Sequence, residues 1–380
     1  MSLAAPALTL GIEEEYLLVD PSSGELVASP AGDFMPACKA ALGDQVAPEM
    51  LRAQVEVGTR VCRTIAAARR DLTRLRRIVA RIAREHGMAL VAASTHPWAA
   101  WPEQLSTPRK RYRTITEEYQ ALARRQVICG MHVHAAVEDE DLRIDLMNQV
   151  GYFLPHLLAL STSSPFWHGE DTGHKAIRPS ISDDLPRSGT PEQFASWNEW
   201  QRLLKQLAEV GLCTDATQIW WDIRPSARHP TVELRITDVC TDVEDALTIA
   251  AFYQSLLRHL WRLRTRNQSW RVYQRTLLEE NKWRAQRWGV EAELADYAAG
   301  RLKPMSALIE ELIEVLRDDA AALGCLSELE RAREIIANGT SADRQLAVYN
   351  KAIEAGASTE EAHRAVVEWL MQASVPARPS

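Results

Sequence analysis

The chain has 380 residues, of which 46% are hydrophobic and 25% charged, and its formal net charge at pH 7 is -7. This composition is ordinary for a soluble globular protein, and the length can bury a sizeable core. The negative net charge gives no indication of a basic surface that would bind nucleic acid. No uncharged apolar stretch approaches the roughly 20 residues of a membrane span. We therefore expect neither a nucleic-acid-binding protein nor a membrane protein.

The six cysteines are scattered without a CxxC pair, and several lie inside apolar runs. This usage predicts reduced core cysteines of a cytoplasmic protein. The opening segment MSLAAPALTLGIEEEY has no basic leader and reaches a carboxylate cluster early, which is not the pattern of a signal peptide.

The first two-thirds of the chain alternates strand-like and helix-like segments. Thr9–Asp20 is predicted to be a strand, PSSG a turn, and Glu25–Ser29 the hairpin partner. Thr64–His86 has the spacing of a long amphipathic helix, and Gly87 is its predicted C-cap. Four further strands and one alternating segment are predicted, at Leu51–Val61, Ala89–Ser94, Val127–Val137, Ile219–Arg224 and Thr231–Asp238.

From about Val243 the pattern is helical to the end of the chain. This arrangement predicts an α+β fold, in which a mostly antiparallel, curved sheet carries its helices on one face. We expect a single domain over residues 8–373, sheet-rich over 8–240 and helical over 243–373.

Five of the predicted strand segments carry their ionisable residues on one face. Side chains alternate along a strand, so residues two apart share a face. The residues that share the polar face are Glu13 and Glu15; Arg52, Gln54 and Glu56; His132 and His134; Asp222 and Arg224; and Glu233 and Arg235. The opposite faces are mostly apolar. We expect helices on the apolar side and a water-filled cleft on the charged side, since burying so many unpaired carboxylates would be prohibitive.

Divalent cations would relieve the repulsion between these carboxylates. The donor groups are four carboxylates and one imidazole, with no thiolate: Glu13, Glu15, Glu56, Glu233 and His132. Such a set suits Mg²⁺ or Mn²⁺ better than a structural zinc ion. Each motif is weak evidence for a site when taken by itself. Arg235 beside Glu233, for example, could form a simple surface ion pair. The repetition on five strands favours a site.

Six motifs follow one another along the chain. They are GIEEEYLLVD near the start, STHPW at 94–98, GMHVH at 130–134, IRPS at 177–180, WDIRPS at 221–226 and TVELRITD at 231–238. Their order and spacing resemble the carboxylate–amine ligase family, also called type 2 glutamate–cysteine ligase. The resemblance covers most of the chain, from about Leu8 to beyond Gly289. GMHVH is also similar to the GMHxH strand of glutamine synthetases, which share the catalytic fold of this family.

The resemblance implies a glutamine-synthetase-like fold that uses ATP and Mg²⁺, with Mn²⁺ as an alternative. By position it implies five metal ligands, which are Glu13, Glu15, Glu56, His132 and Glu233. It also implies that His134 contacts the nucleotide phosphates and that Arg224 and Arg235 surround the transferring phosphoryl group.

The resemblance implies roles for two further groups of residues. The residues expected to line the amino-acid pocket are Thr95, His96 and Arg178. In NKWRAQRWG at 281–289, the residues expected to reach the nucleotide are Asn281, Trp283 and Arg287, with an ordinary helix surface as their alternative.

The activity implied is ligation of a carboxylate, glutamate by default, to an amine, cysteine by default. ATP converts the carboxylate to an acyl-phosphate, whose phosphate is a good leaving group, and the amine then displaces it. The reaction forms γ-glutamylcysteine and releases ADP and phosphate. Neither GxxxxGK[ST] nor GxGxxG occurs, so we expect the charged cleft to hold the phosphates.

Two alternatives remain open at this level. A metal-dependent hydrolase would use His132, His134 and Glu56 to activate a water, but would leave the other carboxylates and the arginines without a role. A non-catalytic nucleotide or amino-acid sensor would have the same fold but would catalyse no reaction. The sequence also allows a homo-oligomer.

Overall fold

The computed structural model describes residues 4–377. Its strands are β1 Leu10–Val19, β2 Val46–Pro48, β3 Gln54–Gly58, β4 Ala89–Val91, β5 Met131–Ala136, β6 Phe166–Trp167, β7 Glu170–Asp171, β8 Ser188–Gly189, β9 Trp220–Trp221, β10 Ile223–Pro225, β11 Thr231–Leu234, β12 Glu293–Asp296 and β13 Arg301–Pro304. Its α-helices are α1 Phe34–Leu42, α2 Ile65–Glu85, α3 Lys110–Tyr119, α4 Ala121–Arg124, α5 Glu140–Val150, α6 Leu154–Ser161, α7 Arg178–Ser182, α8 Trp197–Glu209, α9 Val243–Thr265, α10 Arg275–Trp288, α11 Met305–Leu323, α12 Leu326–Glu330, α13 Ala332–Asn338, α14 Ser341–Glu354 and α15 Thr359–Ala373.

Seven strands form the main sheet, in the order β10-β11-β5-β1-β3-β2, and β4 pairs with the carboxyl-terminal end of β1. All neighbouring strands in this sheet run antiparallel. The central strand β1 has paired neighbours along both edges, β3 on one side and β5 on the other. The predicted α+β fold with an antiparallel sheet is confirmed.

Helices α2 and α9 cover the apolar face of the sheet. The side chain of Thr64 caps the start of α2, and the buried positions Ile65, Ala68, Leu72 and Leu75 follow at helical spacing. α9 is buried along most of its length and packs against α2 and β5. The helices therefore leave the opposite face of the sheet to the charged side chains.

One predicted strand is wrong, at Glu25–Ser29. The turn before it forms as expected, because the carboxylate of Asp20 accepts hydrogen bonds from the N–H groups of Ser22 and Ser23. After the turn, only a single bridge between Val19 and Leu26 follows. The last backbone hydrogen bond of this pairing runs from the N–H of Val27 to the carbonyl of Leu18, and Pro30, three residues later, has no N–H with which to extend a ladder.

The predicted strand Ile219–Arg224 is divided at Asp222. β9 pairs in parallel with β8, whereas β10 joins the main sheet. The carbonyl of Asp222 accepts hydrogen bonds from the N–H groups of both Arg235 and Ile236, which is the arrangement of a bulge. This bulge ends the regular pairing of β11 at Leu234.

The buried apolar side chains form one continuous cluster between Leu8 and Leu370. The single domain over residues 8–373 stays a prediction. The carboxyl-terminal third is helical as predicted, apart from the β12–β13 hairpin. Across residues 4–377, no helix combines the length and the apolar composition needed to cross a membrane.

Candidate active site

Strand register brings the predicted site residues that lie in strands onto one face of the sheet. Glu15 in β1 lies opposite Glu56 in β3, and Glu13 lies opposite His132 in β5. Directly opposed residues in antiparallel strands project to the same side. The charged face extends further, because Glu233 in β11 is paired with His134 on one side and with Arg224 on the other.

Three carboxylates, from Glu15, Glu49 and Glu56, form one group on this face. One oxygen from each carboxylate lies within 4.8 Å of one oxygen from each of the other two. Burial, followed by the charge of Glu49, raises the pKa of Glu15 to about 8. Burial and the three neighbouring carboxylates raise the pKa of Glu56 well above its ordinary value. A hard divalent cation fits this set of oxygen donors and would offset the repulsion that adds to the effect of burial.

Sequence reasoning missed Glu49. The residue follows the three-residue strand β2, in which Ala47 is paired with Glu56 of β3. Glu49 and Ala47 are two residues apart, so the β2–β3 turn carries Glu49 to the charged face. The signal was a carboxylate seven residues before Glu56, directly after a strand that is only three residues long and ends at Pro48.

A second group consists of Glu13, His132 and His134. One oxygen of Glu13 lies 3.6 Å from Nδ1 of His132, and the other lies 3.5 Å from Nε2 of His134. Burial, with the charge of Arg235, lowers the pKa of His132 to about 4, so its imidazole is neutral at neutral pH. Nε2 of His132 is buried without a hydrogen-bond partner among the described residues. A neutral imidazole with a free nitrogen beside a carboxylate is a suitable metal ligand.

Glu233 is held by two arginines. Its Oε2 accepts from Nε of Arg224 at 2.9 Å, and its Oε1 accepts from Nη2 of Arg224 at 3.1 Å and also from Arg235. Burial alone would raise the pKa of Glu233, but the charges of Arg235 and Arg224 hold it below its ordinary value. A carboxylate has about four acceptor positions, so one lone pair on Oε2 is left for another ligand.

A cavity of about 150 Å³ lies beside the carboxylates. Its lining includes Glu15, Glu49, Gln54, Arg111, Tyr112, His132, Arg178, Trp220 and Arg235. Arg178 enters it from α7, and its Nη1 donates to the carbonyls of Arg235 and Ile236 at 3.1 Å. A Cβ atom on Gly130 would lie 2.4 Å from Nη2 of Arg178, so the guanidinium needs a glycine at that position.

Thr95 and His96 lie outside the lining of this cavity. The hydroxyl of Thr95 donates to the carbonyl of Phe166 at 2.8 Å. Nε2 of His96 lies 2.8 Å from the carbonyl of Gly24, and burial lowers the pKa of His96 to about 4. Both side chains brace the loop after β4.

The three residues expected on α10 are not brought to the carboxylates. The side-chain amide of Asn281 donates to the carbonyl of Ala295 and accepts from its N–H group. Trp283 is 45% exposed. Arg287 donates to the carbonyl of Gly173. Their neighbour Lys282 instead pairs with two carboxylates outside α10. Its Nζ lies 2.8 Å from Asp222 and 2.7 Å from Asp183, which ties α10 to α7 and to the bulge.

Comparison with solved structures shows which proteins share this fold. The bifunctional glutathione synthetase from Pasteurella multocida superposes with a TM-score of 0.70 at 15% identity, over 96% of this chain and 52% of that chain. The chain thus spans about half of that enzyme. The glutamate–cysteine ligase of Francisella tularensis, solved in complex with AMP, superposes with a TM-score of 0.69 at 13% identity, over 99% of this chain and 90% of that chain. The predicted ligase fold is confirmed.

Sequence comparison is more specific. A relative in Rhodospirillum rubrum, provisionally named glutamate–cysteine ligase 2, is 52% identical over 374 residues, which cover 97% of this chain and 96% of the relative. A relative of the same name in Ruegeria pomeroyi is 51% identical over 364 residues, covering 96% of this chain and 94% of the relative. The sequence profile of glutamate–cysteine ligase family 2 matches residues 9–368. The chain therefore belongs to glutamate–cysteine ligase family 2, whose members are ATP-dependent ligases that form a carbon–nitrogen bond.

Proposed function

We propose that this chain joins the γ-carboxylate of glutamate to the amine of cysteine, with Mg²⁺ and ATP, through an acyl-phosphate. The observation that carries the proposal is the alignment of carboxylates, imidazoles and arginines in register across one face of the sheet. The family supports the reaction class, and the names of the relatives support the two substrates.

The residues divide into two groups of metal donors. Glu15, Glu49 and Glu56 would hold one Mg²⁺, and Glu13 with His132 and the free lone pair of Glu233 would hold another. The bound cations would neutralise the phosphate charges and polarise the transferring group.

The arginines of the cleft stabilise negative charge on the transferring phosphoryl group. Arg235 and Arg224 are fixed by Glu233, so their guanidinium groups do not need to reorganise as charge develops. Arg178, anchored by two backbone carbonyls, carries its charge into the cavity beside Glu15. Positioning of the acyl-phosphate and the amine in one small cavity favours attack by the amine over hydrolysis by water.

The nucleotide would bind at the β10 edge of the cleft. His134 lies on that side, and its ring is 6.4 Å from that of His229 in the β10–β11 turn. His229 lines an open groove of about 630 Å³, together with Trp197, Leu204 and Arg228, which is large enough for a nucleoside. The contacts predicted for Asn281, Trp283 and Arg287 stay predictions, to be tested alongside this groove.

Phosphate release from the purified protein tests the proposal. The assay supplies Mg-ATP with glutamate alone, cysteine alone, both, or glutamate with a panel of other amines. The ligase predicts stoichiometric ADP, phosphate and dipeptide with both substrates, and loss of all three in Glu56→Gln but not in Glu117→Gln, an exposed residue of α3. Turnover of a substrate without ATP would support the hydrolase instead. Binding of ATP and glutamate without any product would support the sensor.

A further inference from the structure

Arg111 has no fixed partner in the cavity. Arg178 and Arg235, the other arginines of the lining, are bound to backbone carbonyls or to Glu233. Within residues 4–377, Arg111 makes no ion pair, and its polar contact is a 3.5 Å approach to the carbonyl of Thr217. A guanidinium has five N–H donors arranged to bind a carboxylate with two parallel hydrogen bonds. In Arg111 these donors are available to bind a ligand.

Arg111 lies where a helix disfavours positive charge. Arg109, Lys110, Arg111 and Arg113 cluster at the start of α3, and the first turn contains no acidic residue. The amino-terminal end of a helix carries partial positive charge, so each cation there is unfavourable. A local arrangement that opposes stability is expected where function requires it. An anion bound at this end of α3 would be attracted both by the positive end of the helix and by these cations.

The interior of the same cavity has further unsatisfied groups. Nε of Arg178 and Nε2 of His132 are both buried without a hydrogen-bond partner among the described residues. Arg111 and Tyr112 line the same cavity as these groups and Glu49. The hydroxyl of Tyr112 lies 3.4 Å from the carbonyl of Pro48, which keeps the start of α3 against the β2–β3 turn. The cavity therefore has an ordered inner end and a free cation at its outer end.

We propose that Arg111 binds the α-carboxylate of an amino-acid substrate and thereby restricts this site to α-amino acids. The inference rests on the proposed function, since it concerns one of the two substrates of that reaction. A substrate that presents its reacting group to the Glu15 side and an α-carboxylate to Arg111 would satisfy both ends of the cavity. Glutamate and cysteine each carry such a carboxylate, and matched analogues distinguish them.

Two pairs of compounds differ by the α-carboxylate alone. Glutamate without it is 4-aminobutyrate, and cysteine without it is cysteamine. Arg111→Ala removes the fork, and Arg113→Ala is the matched control, because Arg113 carries the same charge on the same helix but is not part of the cavity lining. For each protein, kcat/KM is measured with both members of each pair, and calorimetric binding of the same four compounds is measured in Mg²⁺.

The wild-type protein is expected to prefer the carboxylate-bearing member in at least one pair. Loss of a charge-assisted, two-pronged hydrogen bond should reduce that preference by about 10- to 100-fold in Arg111→Ala, with Arg113→Ala unchanged. The pair that responds identifies which substrate Arg111 holds. Unchanged ratios in both pairs for Arg111→Ala, or equal losses in Arg113→Ala, would overturn the proposal. Because binding is measured without turnover, absence of ligation with intact discrimination would count against the proposed function alone.

Discussion

Glu13 and Glu14 are consecutive residues of β1 whose carboxylates lie on opposite faces of the sheet. Glu13 meets His132 and His134 on the charged face. Glu14 is fully buried on the helix side, where it pairs with Arg76 of α2 at 2.5 Å and accepts a hydrogen bond from the hydroxyl of Tyr16. The strand thus separates a carboxylate that serves the site from one that serves the fold.

Glu14→Gln should destabilise the protein strongly. The substitution leaves the guanidinium of Arg76 buried without a counter-charge, and breaking a buried ion pair in this way costs about 3–5 kcal/mol. Glu13→Gln, one residue away, should leave the free energy of unfolding nearly unchanged while abolishing turnover. Urea denaturation and phosphate release on both variants measure the contrast. Equal stability of the two variants would contradict the separation of roles.

Gly130→Ala should remove activity without unfolding the chain. The added Cβ would lie 2.4 Å from Nη2 of Arg178 and 3.1 Å from Nε2 of His132, so the arginine must leave its place over the strand. Gly11→Ala is the control, because its Cβ would have its nearest neighbour at 3.9 Å, at His134. We expect a fall in kcat/KM of at least about tenfold for the first variant and little change for the second. Equal kinetics in the two variants would mean that Arg178 does not contribute from this position.

Binding of Mg²⁺ should tighten as pH rises toward 8. The pKa of Glu15 is raised to about 8, so a cation must displace its proton at lower pH. Apparent affinity should increase by up to about tenfold per pH unit from about pH 6 and level off above pH 8. Titration calorimetry in several buffers measures the affinity and the released proton together.

The same shift predicts how the metal-free protein responds to pH. A carboxylate whose pKa is raised on folding keeps its proton in the folded state, so this contribution to stability is complete below the ordinary pKa of 4.5 and is lost as pH rises through 8. Unfolding midpoints in EDTA should therefore fall across this window, and Mg²⁺ should restore them at the high-pH end. Midpoints that rise with pH in EDTA would show that the carboxylates are not crowded as described.

Arg235→Lys should lower kcat by about 10²–10³, with a much smaller change in KM for ATP. Lysine keeps the charge but has no planar fork with parallel donors. Steady-state kinetics on the purified variant separates the two parameters. A raised KM with unchanged kcat would mean that Arg235 assists binding only, and no change in either would reduce it to an ion-pair partner of Glu233.

Strand parity predicted much of the site. The alternation of polar and apolar residues in GIEEEY, GMHVH and TVELR was sufficient to place Glu13, His132 and Glu233 on one face, because β pairing keeps that period across neighbouring strands. The same reasoning assigned Glu14 to the other face. The resemblance of the motifs supplied the family, which the comparisons confirm.

Other features depend on contacts that are distant in the chain. Arg76 follows the same helical pattern as its solvent-facing neighbours, and its burial depends on Glu14, 62 residues earlier. The break at Asp222 depends on a bulge formed with Arg235 and on Lys282 of α10. Glu49 joins the carboxylates through a turn, which carries no periodic signal. None of these follows from local propensity.

Transfer of oxygen from the carboxylate to phosphate tests the central claim most directly. Glutamate labelled with ¹⁸O in its γ-carboxylate is incubated with ATP, Mg²⁺, cysteine and the enzyme, and the released phosphate is analysed by mass spectrometry. Activation through an acyl-phosphate predicts one ¹⁸O in each phosphate released during dipeptide formation, because the labelled oxygen leaves with the phosphoryl group. Unlabelled phosphate accompanying a confirmed dipeptide would contradict the account.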